Sequence, residues 1–437
     1  MKRITLVIIV IALGSARLVF AQVQPASFSL RQLADSALQS NYLLRANEKQ
    51  KVIKEADIDL LRLTYQPTIS ASATASVWKF LLPNKQRLLG NSLTDVYTDI
   101  SVYQTIYEWG ESRIRKETLE DEILLNDEIR RQLRSTIIWG VTDTYYEWLK
   151  ASAEVKVHHN TLGRLGSDLE YAEALYKIGK VSGVDVLKIN VQIALEEKAL
   201  MKAENIMLNH KIRLGRFCFT EGAREFSIIE SSDSTSPSAY LQLLFPDSLY
   251  AKTLNNHPTL KAADLKLAIE ARTREMARLQ NRPELFSYAT GTWEHGYLPF
   301  GENFNYNIGV GIHYQIPFLG GAGYKTKMFQ SDQRYEQIND EKSQLFNDLL
   351  REIDVTLNEI EDIRAEIFST REIIKLAKIT MEQASIRYQA GQGTIIDVLA
   401  AQAILSENEI INSKSSYELL QLMAKLEYLT GNDNLPY

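Results

Sequence analysis

The apolar and polar residues of this chain follow two periods that alternate along it. From Lys325 to Ala390 there is neither glycine nor proline, and apolar residues recur at helical spacing: Leu349, Ile353, Leu357, Ile360, Ile363, Ile367. This spacing lays one apolar stripe along an otherwise charged helix. Glu111 to Ile178 repeats the pattern, again without proline, in the stripe Leu119, Ile123, Leu133, Ile137, Val141, Tyr145 and Trp148. At about 1.5 Å per residue, either helix would be on the order of 100 Å long. Helices of that length do not belong inside one globule, so the stripes predict coiled-coil packing.

Before each long helix the period drops to two. Tyr306, Ile308, Val310, Ile312, Tyr314 and Ile316 alternate with Asn307, Gly309, Gly311, His313 and Gln315. Ile69, Ala71, Ala73, Ala75 and Val77 alternate in the same way with Ser70, Ser72, Thr74 and Ser76. Period two predicts strands with one apolar and one polar face. Leu285 to Tyr297 and Asp99 to Tyr107 read as their partners, which makes two hairpins. A tilted strand crosses a bilayer in about 9–11 residues. Trp78, Tyr97, Trp109, Tyr288, Trp293 and Tyr297 cluster near the strand ends, like the aromatic girdles of outer-membrane barrels. Four strands cannot close a barrel, and an open sheet edge cannot face lipid. The missing strands must come from other copies of the chain, and three copies would give twelve.

The two halves also share a short motif. Tyr176, Gly179, Ser182 and Asp185 recur as Tyr388, Gly391, Thr394 and Asp397, at a constant offset of 212 residues (388 against 176), and Val-Leu follows each acid. That period is too long for a solenoid and matches a tandem duplication. Each glycine falls where a long helix ends, a position that favours left-handed backbone. Each hydroxyl then stands three residues before an acid, the spacing of a capping box at the start of the returning helix. The predicted organisation is a leader (1–21), a first helix–hairpin–helix repeat (22–214), a joining segment (215–250) and a second repeat (251–437).

Composition narrows the function. Lys2 and Arg3, the apolar run Ile4 to Leu13 and Val19-Phe20-Ala21 read as a secretory signal, too short to span a bilayer. The formal net charge is −6, and loss of the leader with Lys2, Arg3 and Arg17 makes it more acidic. This argues against a nucleic-acid partner. Cys218 is the only cysteine, so no intrachain disulfide can form. His158 and His159 point about 100° apart on a helix and cannot share a metal, so they read as a solvated face. Arg130, Arg131 and Arg134 read likewise, as do acidic pairs such as Glu361-Asp362. No phosphate loop, nucleophile elbow or Ser/His/Asp set appears, so neither a catalytic residue nor a cofactor is expected.

With its paired tips, its two half-repeats and the strand-to-helix corners Gln104–Gly110 and Gln315–Gly321, the chain resembles the TolC family of outer-membrane efflux and secretion channels. The resemblance implies a membrane α+β protein. Two hairpins per protomer enter a trimeric twelve-stranded barrel, and coiled-coil helices form a periplasmic tunnel ringed by an equatorial belt, here from about Gly215 to Tyr250. It implies a homotrimer in outer-membrane lipid of a Gram-negative cell, working with a periplasmic adaptor and an inner-membrane pump. The tips would be gate and docking surface. Tyr388 and Asp185 match positions whose hydrogen bond helps close the mouth, and Asp397 matches a carboxylate ring. Gly393 stands where the family pattern has an arginine and Ala400 where it has a second carboxylate, so a weaker latch is expected. The first corner has Ile106 where the second has Pro317. The main competing reading is a periplasmic coiled-coil scaffold without a barrel, which the strict alternation of Tyr306 to Ile316 opposes. An envelope hydrolase lacks a catalytic constellation.

Overall fold

In a computed structural model the described residues are 27–79, 81–89, 92–219, 226–230, 246–279, 282–297, 301–314 and 323–432. The expected leader, the Ser/Thr/Pro-rich stretch Ser231–Ser238 and the second corner Gln315–Gly321 lie outside them. In chain order the elements are β1 (Ser27–Phe28), α1 (Leu30–Ser40), α2 (Tyr42–Thr64), β2 (Thr68–Lys79), α3 (Pro83–Leu89), β3 (Ser92–Tyr107), α4 (Glu111–Lys177), α5 (Gly183–Cys218) and β4 (Ser227–Ile228). Then come α6 (Pro246–Asn256), α7 (Pro258–Leu279), β5 (Glu284–Tyr297), β6 (Gly301–His313), α8 (Gly323–Gln389) and α9 (Ile395–Leu429). The duplication shows in the lengths. Both α4 and α8 have 67 residues, and α5 and α9 have 36 and 35.

The chain divides into two units. One comprises Asn41–Gly140, Pro237–Glu372 and Glu418–Tyr437. Its sheet is antiparallel with strand order β2-β3-β5-β6, so the two hairpins join through β3 and β5. The register places like with like. Ile69 pairs with Val102, Val102 with Ala289 and Ala289 with Ile308. One face therefore carries apolar residues on all four strands, and Tyr306, Ile308, Val310 and Ile312 are each about 70 % exposed or more on it. The opposite face is polar. Ser70 and Ser101 share a 2.7 Å hydrogen bond, the Ser72 hydroxyl donates to Asp99, and Tyr103 stacks on Phe286 at 5.1 Å. Gly309 and Gly311 make room on this face. A Cβ on either would lie under 3.0 Å from the ring of Tyr288 or Phe286.

Ile106, which stands where the second corner has Pro317, falls where the β3–β5 register shifts, between Thr105 and Tyr107. Trp109 and Gly110 then turn the chain with positive φ, and Trp109 Nε1 donates to the Pro283 carbonyl at 2.6 Å. The stripe Leu349–Ile367 of α8 packs on Leu419, Leu422, Met423 and Leu426 of α9 and on Leu249 of α6. Arg130, read from sequence as a solvated group, instead bridges helices, pairing with Glu48 of α2 at 2.7 Å. Arg131 pairs with Glu128 on its own helix at 2.9 Å.

The other unit comprises the residues to Ser40, Val141–Ser236 and Ile373–Tyr417. It contains the parallel β1–β4 pair, beside which Phe28, Phe219 and Phe226 cluster. His158 is not solvated. It is 8 % exposed, and its Nδ1 lies 2.6 Å from Glu196 Oε1 of α5. The next residue, His159, is exposed as expected from its position about 100° round the helix. Buried Cys218 has its thiol pushed up to about 12 by burial, which keeps it protonated and unreactive.

Candidate functional site

The eight tip residues come together at the α4–α5 and α8–α9 turns of one unit. Both turns end their first helix alike. At the first, Gly179 N donates to the Tyr176 carbonyl (2.9 Å) and Lys180 N to the Leu175 carbonyl (3.0 Å). At the second, Gly391 N donates to Tyr388 O (3.0 Å) and Gln392 N to Arg387 O (2.9 Å). These paired bonds around a left-handed residue are a Schellman motif, and Gly179 and Gly391 have φ of 74° and 72°.

The returning helices start differently. Thr394 and Asp397 form a complete capping box. Asp397 N donates to Thr394 Oγ1 at 3.3 Å, and Thr394 N and its hydroxyl donate to Asp397 Oδ2 at 3.1 and 2.8 Å. The Thr394 hydroxyl and then its backbone N–H hold the Asp397 carboxyl below its ordinary value, with Arg387 adding to the effect. At the first tip the spacing is the same, but only half the box forms. Ser182 Oγ accepts from Val184 N at 3.2 Å, while Asp185 pairs with Lys188 at 3.5 Å.

The two motif tyrosines also diverge. Tyr176 is 54 % exposed, whereas Tyr388 is 6 % exposed. Tyr388 packs with Ile395 and Val398 against Ala172, Leu175 and Ile189 of the first tip. Its hydroxyl makes no hydrogen bond, so the bond to Asp185 implied by the resemblance is not formed. Burial first, then Asp185, Asp168 and Tyr171, raise its pKa. Sequence reading missed Asp168, Lys188 and Arg387. None belongs to the repeated motif: Lys188 and Arg387 adjoin it in sequence, and Asp168 lies further back on α4. Gly393 offers little space, because a Cβ there would lie 3.2 Å from Arg387 Cβ and Tyr388 N. Beside the tips, Val184, Leu187 and Val191 of α5 face Ile396, Leu399 and Ala403 of α9 across a groove of about 590 Å³.

An apolar-faced sheet in a chain with two 67-residue helices fits the outer-membrane channel that the resemblance implies. Comparison with known proteins agrees. The sequence pattern of the family described as "Outer membrane efflux protein" matches twice, over residues 33–217 and 249–432, one match per half. The chain is 20 % identical to the outer membrane protein TolC of Vibrio cholerae over 395 residues, covering 86 % of this chain and 88 % of that one. It is 20 % identical to the outer membrane efflux protein BepC of Brucella suis over 407 residues, covering 90 % and 83 %. Among solved structures, the outer membrane protein VceC of Vibrio cholerae superposes with a TM-score of 0.73 at 18 % identity, covering 92 % of this chain and 96 % of that one.

The chain belongs to the outer membrane efflux protein family. It is a TolC-like outer-membrane protein of a Gram-negative bacterium and serves as the outer-membrane duct of an efflux system. Members of this family are channels rather than enzymes, and they act with an adaptor and an inner-membrane pump.

Proposed function

We propose that three copies close their four-stranded sheets into one twelve-stranded barrel and that the resulting trimer is a passive exit duct. Cargo would be small molecules or secreted polypeptide, and the inner-membrane pump would supply the energy. The observation that carries this reading is the sheet itself. One face carries apolar residues on all four strands (Ile69, Val102, Ala289, Ile308), the other is more polar, and β2 and β6 form its two outer edges. Backbone edges cannot be left open in hydrocarbon, so β6 of one copy must pair with β2 of the next. A soluble scaffold has no use for such a face.

In the same reading the leader 1–21 is removed on export and the segment 215–250 joins the two repeats. The tips at Tyr176, Gly179, Ser182, Asp185, Tyr388, Gly391, Thr394 and Asp397 form the periplasmic mouth. That mouth is both gate and adaptor-docking surface, and the apolar groove beside it supports the docking role.

Native mass spectrometry of the detergent-extracted protein tests the assembly. A trimer is expected, and a monomer overturns the barrel. The face assignment has its own test. Val310→Arg puts a charge on the lipid face at a cost of about 2–4 kcal/mol and should sharply lower membrane-inserted yield. His313→Arg, on the polar face, should be tolerated, and equal loss from both substitutions would overturn the assignment.

A further inference from the structure

The corner where β3 passes into α4 holds an unfavourable backbone in place. Trp109 has φ of 57°, the one positive φ on a non-glycine residue among the described residues. A tryptophan avoids the left-handed region, so its surroundings must hold it there. Three contacts do so. The indole N–H donates to the Pro283 carbonyl at 2.6 Å, Tyr107 meets the ring edge-on at 5.1 Å, and the Arg282 guanidinium lies over it at 5.3 Å. Tyr107, Trp109 and Arg282 are all exposed.

The register decides which way this cluster faces. Thr105 pairs with Phe286 on the polar face, but after the shift Tyr107 pairs with Leu285, whose other neighbour is Ile312. Ile312 lies on the apolar face, so the shift turns Tyr107 onto it. Down this face toward the helices come Ile312 and Leu285, then Tyr107 and Trp109, then the Arg282 cation. That is the order of a membrane interface: hydrocarbon, aromatic belt, phosphate layer. β3 and β5 are the inner strands, so pairing between copies at β2 and β6 leaves the cluster open to lipid.

Arg282 is available to an outside anion. Glu284, two residues on, accepts from the Thr105 hydroxyl at 2.8 Å, and Glu108, beside Trp109, accepts from Ser112 N at 2.5 Å. Stacking on a ring leaves the N–H donors at the guanidinium edge free for phosphate. The first repeat lacks the feature, because Gln66-Pro67 leads into β2 where Arg282-Pro283 leads into β5. Resting on the reading of the sheet as part of a lipid-embedded barrel, we propose that Arg282, held flat on Trp109, binds the phosphate of an anionic phospholipid in the inner leaflet.

The test titrates the detergent-extracted full-length protein with phosphatidylglycerol or phosphatidylcholine and counts bound lipid by native mass spectrometry. Wild type should bind one phosphatidylglycerol per protomer about fivefold more tightly than phosphatidylcholine, the gain expected of one cation at an anionic surface. Arg282→Gln, which copies the first corner, should remove the preference, and Arg282→Lys should keep part of it. Trp109→Asn puts in a residue that tolerates positive φ but has no ring, and should weaken the preference. Arg113→Gln removes another exposed cation at the start of α4 and should change nothing. Equal binding of both lipids by wild type, or an undiminished preference in Arg282→Gln, overturns the proposal. So does an equal loss in Arg113→Gln, which would make the effect general surface charge, or release of the lipid by excess inorganic phosphate, which would make the site a bare anion site. The same spectra report assembly. A trimer without the preference refutes the lipid site alone. A monomer refutes the barrel, and the preference of wild type against Arg282→Gln then still decides the site.

Discussion

The two tips are copies of one motif, yet they have become different machines. Their helix ends match bond for bond, because a Schellman turn needs only a glycine able to reach positive φ. Beyond the glycine they separate. The second tip has Ile395 where the first has Gly183, and Ile395 is buried with Val398 and Tyr388. The first tip leaves Tyr176, Val184 and Leu187 exposed. The second is therefore an anchored plug held by a core and a full capping box. The first supplies walls for that core and presents an apolar outer surface. Duplication conserved the local backbone solution, and packing then assigned the copies separate tasks.

The sharpest way to break this contrast is to truncate both tyrosines. Tyr388→Ala should destabilise its tip by about 3–5 kcal/mol, the usual result of emptying a buried aromatic site. Tyr176→Ala at the matching position should change stability by no more than about 0.5 kcal/mol. Hydrogen exchange in the first turns of α9 and α5 reads the two tips separately. Equal protection loss at both would mean that they are equivalent after all.

A smaller effect separates the caps. Thr394→Ala removes a hydroxyl that both accepts from Asp397 N and donates to Asp397 Oδ2, and should cost about 0.5–2 kcal/mol. Ser182→Ala removes one acceptor only and should fall at the low end of that range. The pH dependence has a definite sign. Asp397 has a folded pKa depressed by Thr394, so its contribution is present above the ordinary carboxylate range and is lost as pH falls through the depressed value. Thr394→Ala should shrink this acid-side loss, because the residue's backbone N–H and Arg387 still act on Asp397, whereas Ser182→Ala should leave it in full. Unfolding midpoints measured from neutral pH down through the carboxylate range check both statements.

How much of this could be read in advance depended on whether the signal was periodic. The stripe from Leu349 to Ile367 and the alternation at Tyr306–Ile312 came through because period decides which face is buried whatever the neighbours are. The motif spacing likewise located both turns. It could not show that Ser182 would form half a box, because Asp185 had a competing partner one helical turn on in Lys188. His158 failed for a related reason. Adjacent histidines look solvated until a second helix delivers Glu196 to one of them. The Tyr388–Asp185 bond came from family pattern alone, and side-chain pairing at a tip is set by helix placement rather than by motif. Asp168 carries no periodic or motif signal, so only the fold could reveal it.

The smallest expected effect concerns what the two acids do once the fold has placed them. Asp397 is exposed beside its cap, and three copies of it would meet at the mouth of the proposed trimer. Crowded carboxylates bind cations because each opposes the ionisation of its neighbours. Asp185 has Lys188 to neutralise it and should contribute little to such a ring. Asp397→Asn is therefore expected to weaken divalent-cation block of the open pore while trimer yield stays at the parent level. Asp185→Asn should leave block unchanged. Single-channel recordings with and without the divalent ion separate the alternatives. Identical block in parent and Asp397→Asn would make Asp397 a capping residue only, and the two tips would then differ in stability but not in their part in conduction.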